Sequence, residues 1–337
     1  MKQLVVLPLL LALIVVSTAS ALSYGERVLV VVTVYPLKFD VSLLSCGNVE
    51  VYSIVPAGVD PHEYQLTSRD AELVRQANLI VSTGHTHFEL EIAELAKKGE
   101  LKGVLVDALE VEGLLVRENP VTGKPNYHMP IRDPVNYLVF LVHLTRVLAK
   151  VDPANAACYY EKAQEAISTV LGKVLVHRNS LEGLVVADKP HVQYAVEWLG
   201  LRVAWILKYE EEVSLAPESI EKALNLLNSG SIVAVAVTDP PVAQESSFLL
   251  EEAQKRGIPV IRVPFYNGTL DALLYVSQQA AELQKSMHTQ QGLRVQREAP
   301  AKPGYGAYDL GVLLLASAAS FVAGLAVAYF VLARWRK

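Results

Sequence analysis

Cysteine is scarce. The 337-residue chain has two, Cys46 and Cys158. That count excludes a cysteine-rich zinc site. It leaves two readings of the pair, a disulfide formed outside the cell or two buried thiols. No phosphate-binding Gly-Lys loop is present, so no ATPase is built into the chain. There is no His-Glu-x-x-His, and no Ser-His-Asp order stands out, which removes the most recognisable hydrolytic machinery. Charge of one sign is also lacking. A formal net charge of −5 gives no basic surplus for nucleic acid.

Long apolar runs are confined to the two ends. Leu4 to Val16 is apolar, and Ala19-Ser20-Ala21 follows with the small-residue pattern of a cleavage site. Residues 1–21 therefore read as a secretory signal, with an uncleaved N-terminal anchor as the alternative. No cysteine follows the apolar part, which argues against a bacterial-type lipid anchor. At the other end, residues 310–333 are long and apolar enough to span a bilayer. Arg334, Trp335, Arg336 and Lys337 come next, as a cytoplasmic tail would. The expectation is a single-pass protein of the cell membrane, its ligand-binding domain extracellular and its C-terminus cytoplasmic.

Between these ends, β-branched runs alternate with amphipathic ones, the rhythm of parallel sheets flanked by helices. Residues 24–150 form an expected N-terminal lobe and 181–285 a C-terminal lobe that repeats it in kind. Asp152-Pro153 opens a run to about Ser180 without internal proline and with one glycine, Gly172. Residues 151–180 are therefore expected to be one long bridging helix. Residues 112–136 have weak periodicity broken by Pro120, Gly123, Pro125, Pro130 and Pro134, and read as loop. Residues 286–309 are polar and aperiodic and read as a tether to the membrane.

Histidine is where the chemistry gathers. In Val59-Asp60-Pro61-His62-Glu63-Tyr64, Pro61 stiffens a turn between a strand (Val51 to Val55) and a helix that Thr67 or Ser68 can cap. An imidazole on such a turn is held by the scaffold, as a metal ligand must be. The plainer reading is a loop histidine with one hydrogen bond. His128 lies in the second proline-rich loop. His85 and His87 flank Thr86, and in a strand-like segment both would face one side, the cleft mouth, where they would hand metal inward or donate to it directly; a solvated pair is the favoured reading. His143 sits on an amphipathic helix as a structural residue. His177 and His288 have no ligand-like neighbours.

Taken together, these features resemble the zinc- and manganese-binding solute receptors of ABC transporters, the cluster A-I metal-binding proteins. The resemblance covers residues 28–285. Its most specific stretch is Pro56-x-Gly58-x-Asp60-Pro61-His62-Glu63-Tyr64 through Gly84, with Ala77-Asn78-Leu79-Ile80 entering the next strand. Tyr127-His128, Asp133-Pro134-x-Asn136, Asp152-Pro153-Ala154-Asn155-Ala156 and Tyr160 follow in order, and Tyr194 to Leu201 resembles the helix after the third ligand. The resemblance implies two α/β lobes, each supplying two ligands, and a rigid bridging helix. His62 takes the first ligand position and His128 the second. The third falls on Lys189, whose protonated amine is a poor ligand, so His191 two residues later is the candidate. The fourth is usually a carboxylate; counting lands near Asn267, with Asp271 and Asp239 as nearby acids. Asp239 is favoured, and water can complete the shell.

Three imidazoles with one acid or water would form a tetrahedral zinc site, whereas carboxylate-rich sites suit manganese. The expected ligand is therefore Zn2+, with Mn2+ as the alternative, carried as cargo and not used in catalysis. The expected partners are a permease and a separate ATPase subunit; the chain itself is expected to be a monomer and not an enzyme. A surface adhesin on the same fold and an extracellular metal-dependent hydrolase are the competing readings.

Overall fold

A computed structural model describes residues 27–209 and 214–291. The expected signal peptide, most of the tether, the membrane span and the tail lie outside those residues.

The first half runs β1 (Val28–Val32), α1 (Tyr35–Leu44), β2 (Val49–Ser53), α2 (Ser68–Gln76), β3 (Leu79–Ser82), α3 (His87–Lys97) and β4 (Val104–Asp107). Its four strands are parallel, in the order β2-β1-β3-β4. A parallel sheet covered on both faces needs apolar residues on both sides of its inner strands. Val-Leu-Val-Val-Val of β1 and the wholly buried Leu-Ile-Val-Ser of β3 supply them. Pro36 begins α1 at its first turn, where a missing N–H costs nothing. Thr67 caps α2 and exchanges hydrogen bonds with Asp70 in a capping box.

The segment expected to be loop, 112–136, is more ordered than its proline content suggests. It holds a short antiparallel hairpin, β5 (Arg117–Glu118) with β6 (Pro125–Asn126), and a 3-10 turn at Pro130–Arg132. Asp133 then caps α4 (Pro134–Val151) through Val135 N and Asn136 N. The expected single helix over 151–180 is helical almost throughout but changes pitch. A 3-10 turn at Pro153–Asn155 precedes α5 (Ala156–Thr169), a π-helical turn at Val170–Val174 contains Gly172, and a 3-10 turn ends at His177.

The second half repeats the first: β7 (Gly183–Ala187), α6 (Pro190–Glu197), β8 (Leu201–Ile206), α7 (Pro217–Asn228), β9 (Ile232–Asp239), α8 (Gln244–Arg256), β10 (Val260–Pro264) and α9 (Thr269–Gln291). Its parallel order, β8-β7-β9-β10, is the first sheet's order again. In both sheets the strand order reverses beside the first strand, which is where open α/β sheets form ligand crevices. Helix α9 continues to Gln291, past the expected end of the lobe and into the expected tether.

Two features join the halves. One buried apolar cluster runs from β1 through α4 and α5 to β7 and α9. The second is polar. Arg132, fully buried, donates to the carbonyls of Pro264 (2.9 Å), Phe265 (3.0 Å) and Asn267 (3.3 Å). Buried Asp40 accepts from Thr269 N and Oγ1 (2.8 Å each) and from Tyr137 Oη (3.0 Å). First-half side chains thus hold the loop after β10 at its backbone. Cys46 and Cys158 form a disulfide, so of the two readings left open by the count the cross-link is the one found. It ties the end of α1 to α5.

Candidate metal site

His62 is placed by its own motif. Asp60 Oδ1 accepts from His62 N at 2.9 Å, closing a tight side-chain turn around Pro61. Tyr64 Oη donates to Asp70 Oδ2 at 2.8 Å, and the same oxygen accepts from Thr67 N and Oγ1. The loop is therefore tied to the first turn of α2 a few residues after the imidazole. The Asp, the Pro and the Tyr of the motif each have a mechanical task.

His85 arrives by a different route. It follows β3 and Gly84, whose φ is +81° and whose missing Cβ leaves room for the Asp107 carboxylate. The buried Glu89 of α3 gathers the turn. It accepts from Thr33 Oγ1 (2.6 Å), Ser82 Oγ (3.1 Å), Thr83 N (2.7 Å), His85 N (3.1 Å) and Thr86 N (3.1 Å). Burial alone would push this carboxyl up. The His85 charge and the hydrogen bonds from Thr33, Thr83 and Thr86 outweigh it and hold the group at about 2. His87, by contrast, starts α3 and is exposed. The expected solvated pair is thus split: His85 turns inward and His87 outward.

His128 follows β6. Asn126 Oδ1 accepts from both His128 N (3.1 Å) and His128 Nδ1 (3.0 Å). Among the described residues its Nε2 is buried without a hydrogen-bond partner. Burial, then the charges of His85, His62 and Lys189, push this imidazole down to about 2. It is neutral at any physiological pH and presents a lone pair.

The three rings converge. Centroids are 5.2 Å apart for His62 and His85, 5.3 Å for His62 and His128, and 4.8 Å for His85 and His128. Their ligand nitrogens all lie within 4.8 Å of one another. Tetrahedral zinc–imidazole bonds place nitrogens roughly 3.4 Å apart, so modest ring rotations bring the set to coordination distance. All three come from the first half of the chain. They line a cleft of about 200 Å³ whose far wall includes Lys189, His191, Thr238 and Phe265.

The other expected ligands stand apart from this cluster. His191 is buried on the first turn of α6, 4.9 Å from the Phe265 ring and 3.4 Å from Thr238 Oγ1. Burial first, then Arg132, Lys189 and His128, push it well below its ordinary range. It lines the cleft but is not among the three converging imidazoles. Asp239 lies 3.2 Å from Arg262 Nη1, and the structure does not bring it to the three rings. Asn267 is exposed, its backbone held by Arg132. Lys189, where the third ligand was counted, pairs with Glu245 at 3.3 Å.

The residues not anticipated are Glu89 and Asn126; His85 as a donor is the less favoured alternative to a solvated pair. Thr86-x-x-Glu89 carries the capping-box pattern; it marks a helix start at His87 and so separates the two histidines. No local pattern points to Asn126.

Comparison with known proteins bears on the family and the fold. Residues 30–273 match the family model described as zinc-uptake complex component A, periplasmic. Among similar proteins, the manganese ABC transporter substrate-binding lipoprotein PsaA of Streptococcus pneumoniae is 26% identical over 243 residues, 68% of this chain and 78% of PsaA. The iron-binding protein YfeA of Yersinia pestis is 25% identical over 230 residues, 64% of this chain and 72% of YfeA. Among solved structures, FpvC from Pseudomonas aeruginosa in complex with Mn2+ superposes with a TM-score of 0.61 at 19% identity, covering 80% of this chain and 100% of FpvC. The Mn-bound periplasmic metal-binding protein of Candidatus Liberibacter asiaticus gives 0.58 at 19% identity, with 76% of this chain and 100% of that one covered. These structural likenesses establish a shared fold.

Proposed function

The chain belongs to the zinc-uptake component A family, metal-binding substrate receptors of ABC transporters and not enzymes, and from that premise we propose that His62, His85 and His128 capture a divalent metal ion in the cleft as cargo. The carrying observation is the convergence of three imidazoles, with the buried His128 Nε2 lacking a hydrogen-bond partner among the described residues. A buried polar atom of that kind awaits a ligand. Zinc is the favoured ion, with manganese second. Three imidazole donors with no carboxylate among them suit zinc better than manganese. Water, or a small movement of His191, completes the shell. Asp239 is not part of this proposal.

The proposed mechanism is capture, slight closure and release to a permease driven by a separate ATPase. Three of the donors come from one half, and Arg132 and Asp40 tie the halves, so closure is small. Acid weakens binding because the ligands must be deprotonated. The receptor is proposed to work outside the cell as a monomer, held at the membrane by residues 310–333; that anchor rests on the sequence alone. Among the described residues the only helix of membrane-spanning length and hydropathy is α4, which is part of the core.

Metal analysis of the purified chain, with zinc and manganese titrations, tests the reading. Near one ion per chain is expected, with His62→Ala, His85→Ala and His128→Ala each losing affinity by at least tenfold. Unchanged stoichiometry and affinity in all three would refute it.

A further inference from the structure

The amide of Asn126 can be oriented without ambiguity, although such amides are usually assigned by choice. Its Oδ1 accepts from His128 N, a backbone N–H that can only donate. Its Nδ2 donates to Pro190 O at 2.9 Å, a carbonyl that can only accept, and to Gln193 Oε1 at 2.9 Å. Gln193 is fixed in the same way, because its Nε2 donates to Glu118 O at 3.0 Å and to Glu197 Oε2 at 3.3 Å. With Oδ1 established as oxygen, the 3.0 Å contact to His128 Nδ1 requires a proton on Nδ1. His128 is therefore the Nδ1–H tautomer, with its lone pair on Nε2, the atom aimed into the cleft without a partner.

The two ends of this amide belong to different halves of the molecule. Asn126 is on β6, next to the site. Pro190 and Gln193 are on α6, the first helix of the second half. Asn126 is 1% exposed, so water does not substitute for either end. Tyr194 Oη, also on α6, donates to the Asn126 carbonyl and seals the same junction.

We propose that Asn126 is a positioning residue that makes the tautomer of His128 depend on the docking of α6, so that the second half sets whether the ligand nitrogen faces the metal. This rests on His128 being a ligand. If α6 shifts, the amide keeps its bond from His128 N but loses the two acceptors of its Nδ2, so the acceptor of the Nδ1 proton is held from one end only and the lone pair is held less firmly on Nε2. Conversely, a metal on Nε2 requires Nδ1–H and so favours the docked arrangement. Loading and lobe docking are thereby linked, as a permease would need in order to distinguish the loaded receptor.

The test uses the full chain labelled with 15N in its histidine rings, zinc titration, and amide hydrogen exchange of α6. Asn126→Asp keeps the acceptor for His128 and loses the donors to α6. It is expected to retain the Nδ1–H signature while α6 exchanges at least tenfold faster. Asn126→Ala removes both and is expected to lose the signature and about 10- to 100-fold in zinc affinity, the usual scale for the partner of a ligating imidazole. Gln193→Ala leaves His128 untouched and keeps Pro190 O for the amide; it is expected to speed α6 exchange at least tenfold while the Nδ1–H signature stays, and it serves if Asn126→Ala fails to fold. Nδ1–H or affinity unchanged in Asn126→Ala, or α6 exchange unchanged in Asn126→Asp or in Gln193→Ala, would each overturn the proposal. His128→Ala separates the two readings: if it leaves zinc affinity intact, the ligand assignment fails, whatever the Asn126 variants do.

Discussion

Glu89→Gln is the perturbation that reaches furthest into this molecule. Glu89 is a fully buried carboxylate whose oxygens accept from Thr33, Ser82, Thr83, His85 and Thr86. Glutamine keeps the shape but turns one acceptor into a donor, which must face N–H or O–H groups. Its carboxyl is held at about 2, down from 4.5. That difference corresponds to at most about 3 kcal/mol of stability, part of it shared with a charged His85. The sign follows from the depressed folded value. The contribution is fully present above the unfolded value near 4.5 and is lost as pH falls through about 2. By pH 3, about 2 kcal/mol of it is gone. Urea denaturation at pH 7 and pH 3 measures it. Wild type should exceed Glu89→Gln by up to about 3 kcal/mol at pH 7 and by up to about 1 kcal/mol at pH 3. Because Glu89 also holds His85 N, zinc affinity should fall in the variant at pH 7. A stability gap that does not change with pH would refute the claim that the ionised carboxylate organises this turn.

Two further predictions concern what joins the structure. The disulfide closes a separation of 112 residues, so Cys46→Ala with Cys158→Ala, or reduction, should cost about 2–5 kcal/mol in chemical denaturation; a loss under ~1 kcal/mol would contradict the cross-link. Arg132→Met strips charged donors from three carbonyls and leaves Asp40 buried without its nearest cation. It should cost about 3–5 kcal/mol, and adding Asp40→Asn should recover part of that; additive losses in the double variant would argue against a coupled clamp.

Much of the fold was legible because its signals are local. Thr67 and Asp70 announce α2, Pro134 and Pro217 stand at the starts of α4 and α7, and the valine runs of β1 and β9 are buried strands. His62 was legible for the same reason: Asp60, Pro61 and Tyr64 build its turn from neighbours in sequence. Elsewhere the deciding contacts are distant. Asp239 looks available at the end of β9 until Arg262 on the adjacent strand reaches it. The inward turn of His85 depends on Gly84 adopting a positive φ beside Asp107 and on Glu89 one helical turn later. Periodicity over 151–180 shows a helix but not its pitch, so the π-helical turn containing Gly172 carries no sequence signal of its own. No spacing rule pairs Cys46 with Cys158; tertiary packing does.

The central claim is that three imidazoles from the first half hold the ion. Crystals of the zinc-loaded chain, measured on both sides of the zinc absorption edge, test it most directly. The account predicts a single anomalous peak about 2.0–2.1 Å from a ring nitrogen of each of His62, His85 and His128. A peak beside Asp239 and Arg262, or one with none or only one of those rings within bonding distance, would contradict it.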